Sequence, residues 1–200
     1  MKHLAPAASA LALILAACSP EAPAPADAPA AEAPAADAAV PAGIQAALLE
    51  GDGVTRTDPA GGAGRKLAFT EDTGDAKTDV VAYVTRLNGG QPLRTGANEE
   101  CGAGAQTFVY PGDGFELAFI EDRLAGWGVS ENAPRGFATA SGVHVGSTVA
   151  ELRAAHPDVT ITTDTLGPEF AVGEVYGFLS GTNDAATVKS MWAGVNCVFR

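Results

Sequence analysis

Basic residues, histidines, cysteines and aromatics are all scarce in this 200-residue chain, and each scarcity closes off a class of function. Lys and Arg number 12 against 24 Asp and Glu, for a formal net charge of −12. From Gly43 onward the balance is 11 to 20. A nucleic-acid binder displaces counterions from phosphate with a basic face, and no basic cluster is present, so no nucleic-acid partner is expected. The same charge discourages adsorption to anionic lipid. Of the three histidines, His144 lies between two valines and His156 at the end of an apolar-periodic segment. Neither has a second His or Cys at metal-ligand spacing, so no metal or cofactor is expected. No Gly-x-Ser-x-Gly occurs, and Ser141, Ser147 and Ser180 fall in turn or cap contexts. Asp52, Asp113 and Asp184 sit in turns without the calcium-loop pattern. Gly61-Gly62-Ala63-Gly64-Arg65-Lys66 lacks the spacing of a phosphate loop, and its lysine begins a strand. Glu99-Glu100 and Glu121-Asp122 are adjacent acids in loops, where carboxylates are ordinarily solvated. No catalytic residue is expected.

Long hydrophobic runs are also missing, with one exception. Leu4 to Ala17, after Lys2 and His3, is apolar but too short for a membrane span. It has the form of a cleavable signal peptide covering residues 1–17, and its end, Leu15-Ala16-Ala17-Cys18, resembles the lipobox of bacterial lipoproteins. That resemblance implies lipidation of Cys18 with diacylglyceryl and a further acyl chain such as palmitate. Each buried methylene contributes about 0.8 kcal/mol, and two or more chains suffice for stable anchoring. Ser19, where the family uses aspartate to favour the inner membrane, leans toward the outer membrane, facing the periplasm.

Between Cys18 and Ala42 the chain is almost entirely Ala and Pro, broken by Glu21, Asp27, Glu32 and Asp37. A segment without large apolar side chains cannot build a core, so residues 18–42 are expected to form a disordered tether. At about 3.1 Å per residue in polyproline geometry, it reaches on the order of 70 Å. Of the three cysteines, one is assigned to lipid; Cys101 and Cys197 are left in an oxidising compartment, where a structural bridge between them is expected.

The remaining sequence supports an α+β fold. Ile44 to Leu49 is a short apolar piece, and turns are expected at 51–53 and 58–62. Lys66 to Thr70 alternates as a strand. From Asp75, a plausible cap, Val80, Tyr83, Val84 and Leu87 recur at helical spacing up to Gly89-Gly90. Gln106–Tyr110, Phe115–Ile120 and Gly126–Ser130 form a meander of strands. The second half repeats the order: a strand at 142–145, a helix opened by the Thr148/Glu151 capping box and ended by Pro157, then strands at 159–163, 175–180, 188–193 and 196–199. The aromatics of these strands, Phe108, Tyr110, Phe115, Phe119, Trp127, Tyr176, Phe178 and Trp192, are expected in the core by default; any that face solvent would instead mark the sheet as a partner-binding surface.

Each half therefore ends in a tryptophan strand, and two similar strand–helix–antiparallel meander units, 43–135 and 136–200, are expected to pack together. In this layout the chain resembles the tandem helix-plus-sheet repeats of the beta-lactamase inhibitor protein and of BamE-type outer-membrane lipoproteins. It is also similar to uncharacterised bacterial lipoproteins in which a Gly-Val-x-Val-Gly-Ser-Thr-x-x-Glu-Leu segment precedes a helix. The expected function is a noncatalytic envelope lipoprotein, held to the membrane through Cys18, that binds another protein or a cell-wall polymer. The rival expectation is a lipid-anchored hydrolase whose catalytic residues are dispersed.

Overall fold

Alternation of apolar and polar residues, punctuated by glycine-rich turns, produces mostly antiparallel strands with few helices. The computed structural model describes residues 47–57, 64–70, 74–87, 93–133 and 137–195. The segments expected as a signal peptide (1–17) and a tether (18–42), with Cys18, Cys197 and the strand expected at 196–199, lie outside these residues. So does the whole glycine-rich stretch 58–63.

Three short strands, β1 (Leu48–Glu50), β2 (Gly53–Thr55) and β3 (Lys66–Ala68), form a small antiparallel sheet ordered β1-β2-β3. Helix α1 (Gly74–Leu87) follows; it begins one residue before Asp75, which therefore stands in the first turn and not at the cap. The main sheet contains β4 (Arg94–Asn98), β5 (Gln106–Tyr110), β6 (Phe115–Ile120) and β7 (Arg123–Ser130). After α2 (Val149–Ala155) come β8 (Thr160–Asp164), β9 (Gly167–Val172), β10 (Val175–Leu179) and β11 (Val188–Gly194). All eight join in one sheet, in the order β4-β5-β6-β7-β11-β10-β9-β8.

That order joins the strands of the two expected units in one continuous sheet, which is not a clear pair of meanders. The two tryptophan strands pair with each other, Trp127 opposite Ala193 and Gly128 opposite Trp192, so neither is left as an unpaired edge. Among the described residues, the three-stranded sheet of the first half has no counterpart in the second. Four strands were not foreseen: β1 and β2, where only a short apolar piece and a turn were read, β4, whose Arg-Thr-Gly-Ala-Asn sequence is polar, and β9, which carries a proline beside its first glycine. Conversely, residues 142–145 contribute only an isolated bridge, His144 to Ala138. His144 is held there by its own turn: Nδ1 lies 2.9 Å from the Gly142 carbonyl and 3.0 Å from Ser147 Oγ.

One face of the sheet is covered. Leu117, Trp127, Val129, Met191, Val175 and Phe170 pack in a single core with Val80 and Val84 of α1, Val149 and Leu152 of α2, and Leu49, Val54 and Leu67 of the small sheet. Trp127 is fully buried, and its Nε1–H donates to the Glu50 carbonyl at 2.8 Å, fastening β7 to β1. Gly177 has no side chain because the Phe170 ring occupies that place; a Cβ there would lie 2.3 Å from Phe170 Cε1 and 2.2 Å from the Ser190 carbonyl. The foreseen capping box opens α2, with Thr148 Oγ1 accepting from Glu151 N at 3.1 Å and Glu151 Oε2 accepting from Thr148 N at 2.7 Å.

Candidate functional site: the open sheet face

Register decides which side chains share the other face. Residues directly opposite in antiparallel strands point the same way, so Glu116, Gly128, Trp192, Tyr176 and Ala171 form one row across β6, β7, β11, β10 and β9. Arg94 and Tyr110, paired between β4 and β5, continue that row. Ser130, Ser190 and Phe178 form the neighbouring row, while Phe108 and Ala118 stand on the other side.

Aromatic residues dominate this face. Of the eight strand aromatics expected in the core, only Phe115, Phe119 and Trp127 are there. Phe108, Tyr110, Tyr176, Phe178 and Trp192 are half-buried on the open face. They form two groups: Phe108 stacks with Tyr110 at 6.2 Å between ring centroids, and Trp192 lies 5.0 Å from Phe178 and 6.4 Å from Tyr176. The expectation failed because period-2 alternation identifies two faces without saying which is covered. Both faces of these strands are apolar.

Between the two groups runs a trough of about 380 Å³, floored by Gly128 and lined by Tyr110, Glu116, Trp192, Phe178 and Ser190. Glu116 leans over the glycine, so that a Cβ at position 128 would lie 2.8 Å from Glu116 Oε1. Burial among these rings pushes the Glu116 carboxyl above the ordinary carboxylate range. Tyr110 is also raised, first by burial and then by the charge of Glu116. Glu116 makes no hydrogen bond or ion pair among the described residues. Arg94, at the trough's end, is directed elsewhere: its guanidinium lies 5.5 Å over the Tyr110 ring and 3.3 Å from Asp113.

Glu116 escaped sequence reasoning. Its signal was a single acid inside the apolar run Phe115-Glu116-Leu117-Ala118-Phe119, with a glycine in the strand opposite. Four of the acids singled out from sequence are in ion pairs, Asp52 with Lys66 at 2.6 Å, Asp113 with Arg94, Asp184 with Arg153 at 2.5 Å and Asp122 with Lys77 at 2.8 Å, and Glu99, Glu100 and Glu121 are exposed. No group of three metal-ligating side chains comes together among the described residues.

A second concavity, also about 380 Å³, lies on the covered side beside α2. Leu152, Phe170, Val172 and Val175 line it, and at its mouth Ser141 Oγ and His156 Nε2 are 2.6 Å apart. Thr139 Oγ1 lies 2.8 Å from the same serine. Ser141 is exposed and His156 half-buried. The amides that follow the serine are engaged, Gly142 N with the Thr139 carbonyl at 2.9 Å and Val143 N with Thr139 Oγ1 at 3.1 Å. Of the two acids in the lining, Glu50 and Glu174, Glu50 accepts from Thr55 Oγ1 at 2.5 Å and pairs with Lys66.

Cys101 is buried and disulfide-bonded, and its expected partner, Cys197, lies outside the described residues. Gln106 Nε2, five residues beyond Cys101, donates to the Val195 carbonyl at 2.9 Å.

No protein-family model matches the chain, and no curated relative matches it. Among solved structures it is similar to the uncharacterized protein yfeY from Escherichia coli. The two are 15% identical with a TM-score of 0.42, the match covering 64% of this chain and 93% of that one.

Proposed function

We propose that this protein is a noncatalytic binding module of the bacterial cell envelope, anchored through lipid on Cys18, and that its open sheet face docks another protein. The observation carrying this reading is the aromatic trough. Five half-buried aromatics on one sheet face form the kind of amphipathic contact surface that interfaces favour, since large rings give contact area at low entropy cost. The acidic domain supports leaving membrane attachment to the lipid, and the Ala/Pro segment 18–42 serves as a tether carrying the face away from the bilayer. Cell-wall polymer is the alternative partner, since aromatics also stack on sugar rings.

The strand order supports reading the two halves as diverged copies, each a helix followed by four meandering strands, joined at their last strands. This is the arrangement implied by the resemblance to beta-lactamase inhibitor and BamE-type proteins. We also propose that Cys101 bonds to Cys197, a pairing supported by the hydrogen bond that brings Val195 beside Gln106.

The test is crosslinked capture from intact cells, comparing the full lipoprotein with a variant carrying Trp192→Ala and Phe178→Ala. The expected result is an envelope partner captured by the first and lost with the second. Equal capture by both would place the binding surface elsewhere and overturn the assignment.

A second reading, a lipid-anchored hydrolase, is favoured by one observation, the 2.6 Å Ser141–His156 contact at the mouth of the apolar cavity. Against it stand the engaged amides after Ser141, which leave no ready pair of donors for an oxyanion there. A fluorophosphonate probe decides: labelling abolished by Ser141→Ala would establish the hydrolase, and no labelling would remove it.

A further inference from the structure

We infer that the trough over Gly128 is a receptor for a single cationic side chain, an arginine guanidinium presented by the partner, held by Glu116 and flanked by Tyr110 and Trp192. This deepens the binding reading above and rests on it.

Charge complementarity is the first ground. A carboxylate lying among aromatic rings has lost much of its water, and Glu116 has regained no hydrogen bond or ion pair from the described residues. Arg94 does not supply one, being stacked on Tyr110 and directed to Asp113. The cation must then come from outside. A partner's cation would supply the missing pair and stabilise the ionised form that burial now disfavours.

Geometry is the second ground. Tyr110 stands on β5 and Trp192 on β11, with β6 and β7 between them, so their backbones are separated by three strand spacings, about 14 Å. Between them the sheet offers only Gly128, which has no side chain, and Glu116, which lies flat across it. A planar guanidinium satisfies this arrangement better than a compact ammonium: it stacks on aromatic faces and presents two parallel N–H groups to a carboxylate. Ser130 and Ser190, opposite each other on β7 and β11, add hydroxyl acceptors at the trough's edge.

The titrating groups that face Glu116 are Arg94 from β4 and Tyr110 from β5, whereas β7 and β11 present only Gly128, Ser130, Ser190 and Trp192. Arg94 is paired with Asp113 at 3.3 Å, so a loss of binding on acidification is assigned to Glu116 only where Glu116→Gln removes it.

The test uses the full lipoprotein in detergent micelles with ¹⁵N-labelled tryptophan, titrated with the blocked tripeptide acetyl-Gly-Arg-Gly-amide and with its citrulline counterpart, which keeps the shape and loses the charge. The Trp192 indole resonance, assigned with Trp192→Phe, should shift saturably with the arginine peptide and at least about tenfold more weakly with citrulline. Glu116→Gln should weaken arginine binding about tenfold. Gly128→Val, which fills the trough floor against a side chain that can move aside, should abolish it while the fold persists. Equal shifts with citrulline, no shift with either peptide, or undiminished binding by Glu116→Gln would overturn the inference. None of these results bears on whether the face captures a partner, which the crosslinking comparison reads separately.

Discussion

Three single residues fix the behaviour of the sheet, and each makes a prediction. Glu116 is a carboxyl that burial holds above its ordinary range. The folded protein therefore keeps a proton that the unfolded chain has released, and stability from this group is full at low pH and lost as pH rises through the raised folded value. Glu116→Gln should then be more stable than the parent protein at about pH 7, with the difference closing below about pH 4, as chemical denaturation at the two pH values would record. Trp127 does the opposite work on the covered face. Trp127→Phe removes the bond to the Glu50 carbonyl and leaves a void, so urea unfolding should show a loss of about 2–4 kcal/mol. Gly177→Ala pushes a methyl into Phe170 and the Ser190 carbonyl and should cost about 1–3 kcal/mol.

At the scale of elements, much was legible. The capping box of α2 was readable because Thr148 and Glu151 act locally, three residues apart, and Thr148→Ala should lower stability by about 1 kcal/mol in the same urea assay. The strands β5, β6 and β10 fall almost where alternation placed them. β4 and β9 were hidden, since the first is polar and is recruited by pairing along β5 rather than by its own propensity. The β6–β7 turn was read from its acids, but its backbone was not: Glu121 and Asp122 both adopt positive φ, 50° and 60°. This left-handed pair suits a tight hairpin but disfavours residues with a Cβ. Glu121→Gly is accordingly expected to raise the melting midpoint, by the equivalent of about 0.5–1 kcal/mol.

Over the whole molecule, what could not be read was the joining of the two halves. Strand pairing between β7 and β11 links residues sixty or more positions apart, and no local pattern encodes that partnership. The candidate site follows from it. Glu116 and Gly128 come from the first half, Trp192 and Phe178 from the second, and the trough exists only because the two tryptophan strands lie side by side. Trp127 and Trp192, similar in sequence context, point to opposite faces for the same reason: Trp127 stands opposite Ala193 and Trp192 opposite Gly128. The proposed lipid anchor and disulfide bridge make their predictions at this scale as well. Cys18→Ser should move the protein from the membrane fraction to the soluble one, and reduction of the proposed Cys101–Cys197 bridge should cost up to about 4 kcal/mol.

The central claim, that the open sheet face is where this protein meets its partner, is tested most directly by photocrosslinking in living cells. A benzophenone amino acid would be placed at Tyr176 on the open face and, separately, at Asp158 beyond the end of α2. The account predicts a discrete covalent adduct from position 176 and none from position 158. An adduct from 158 alone, or none from any aromatic position of the face, would contradict it.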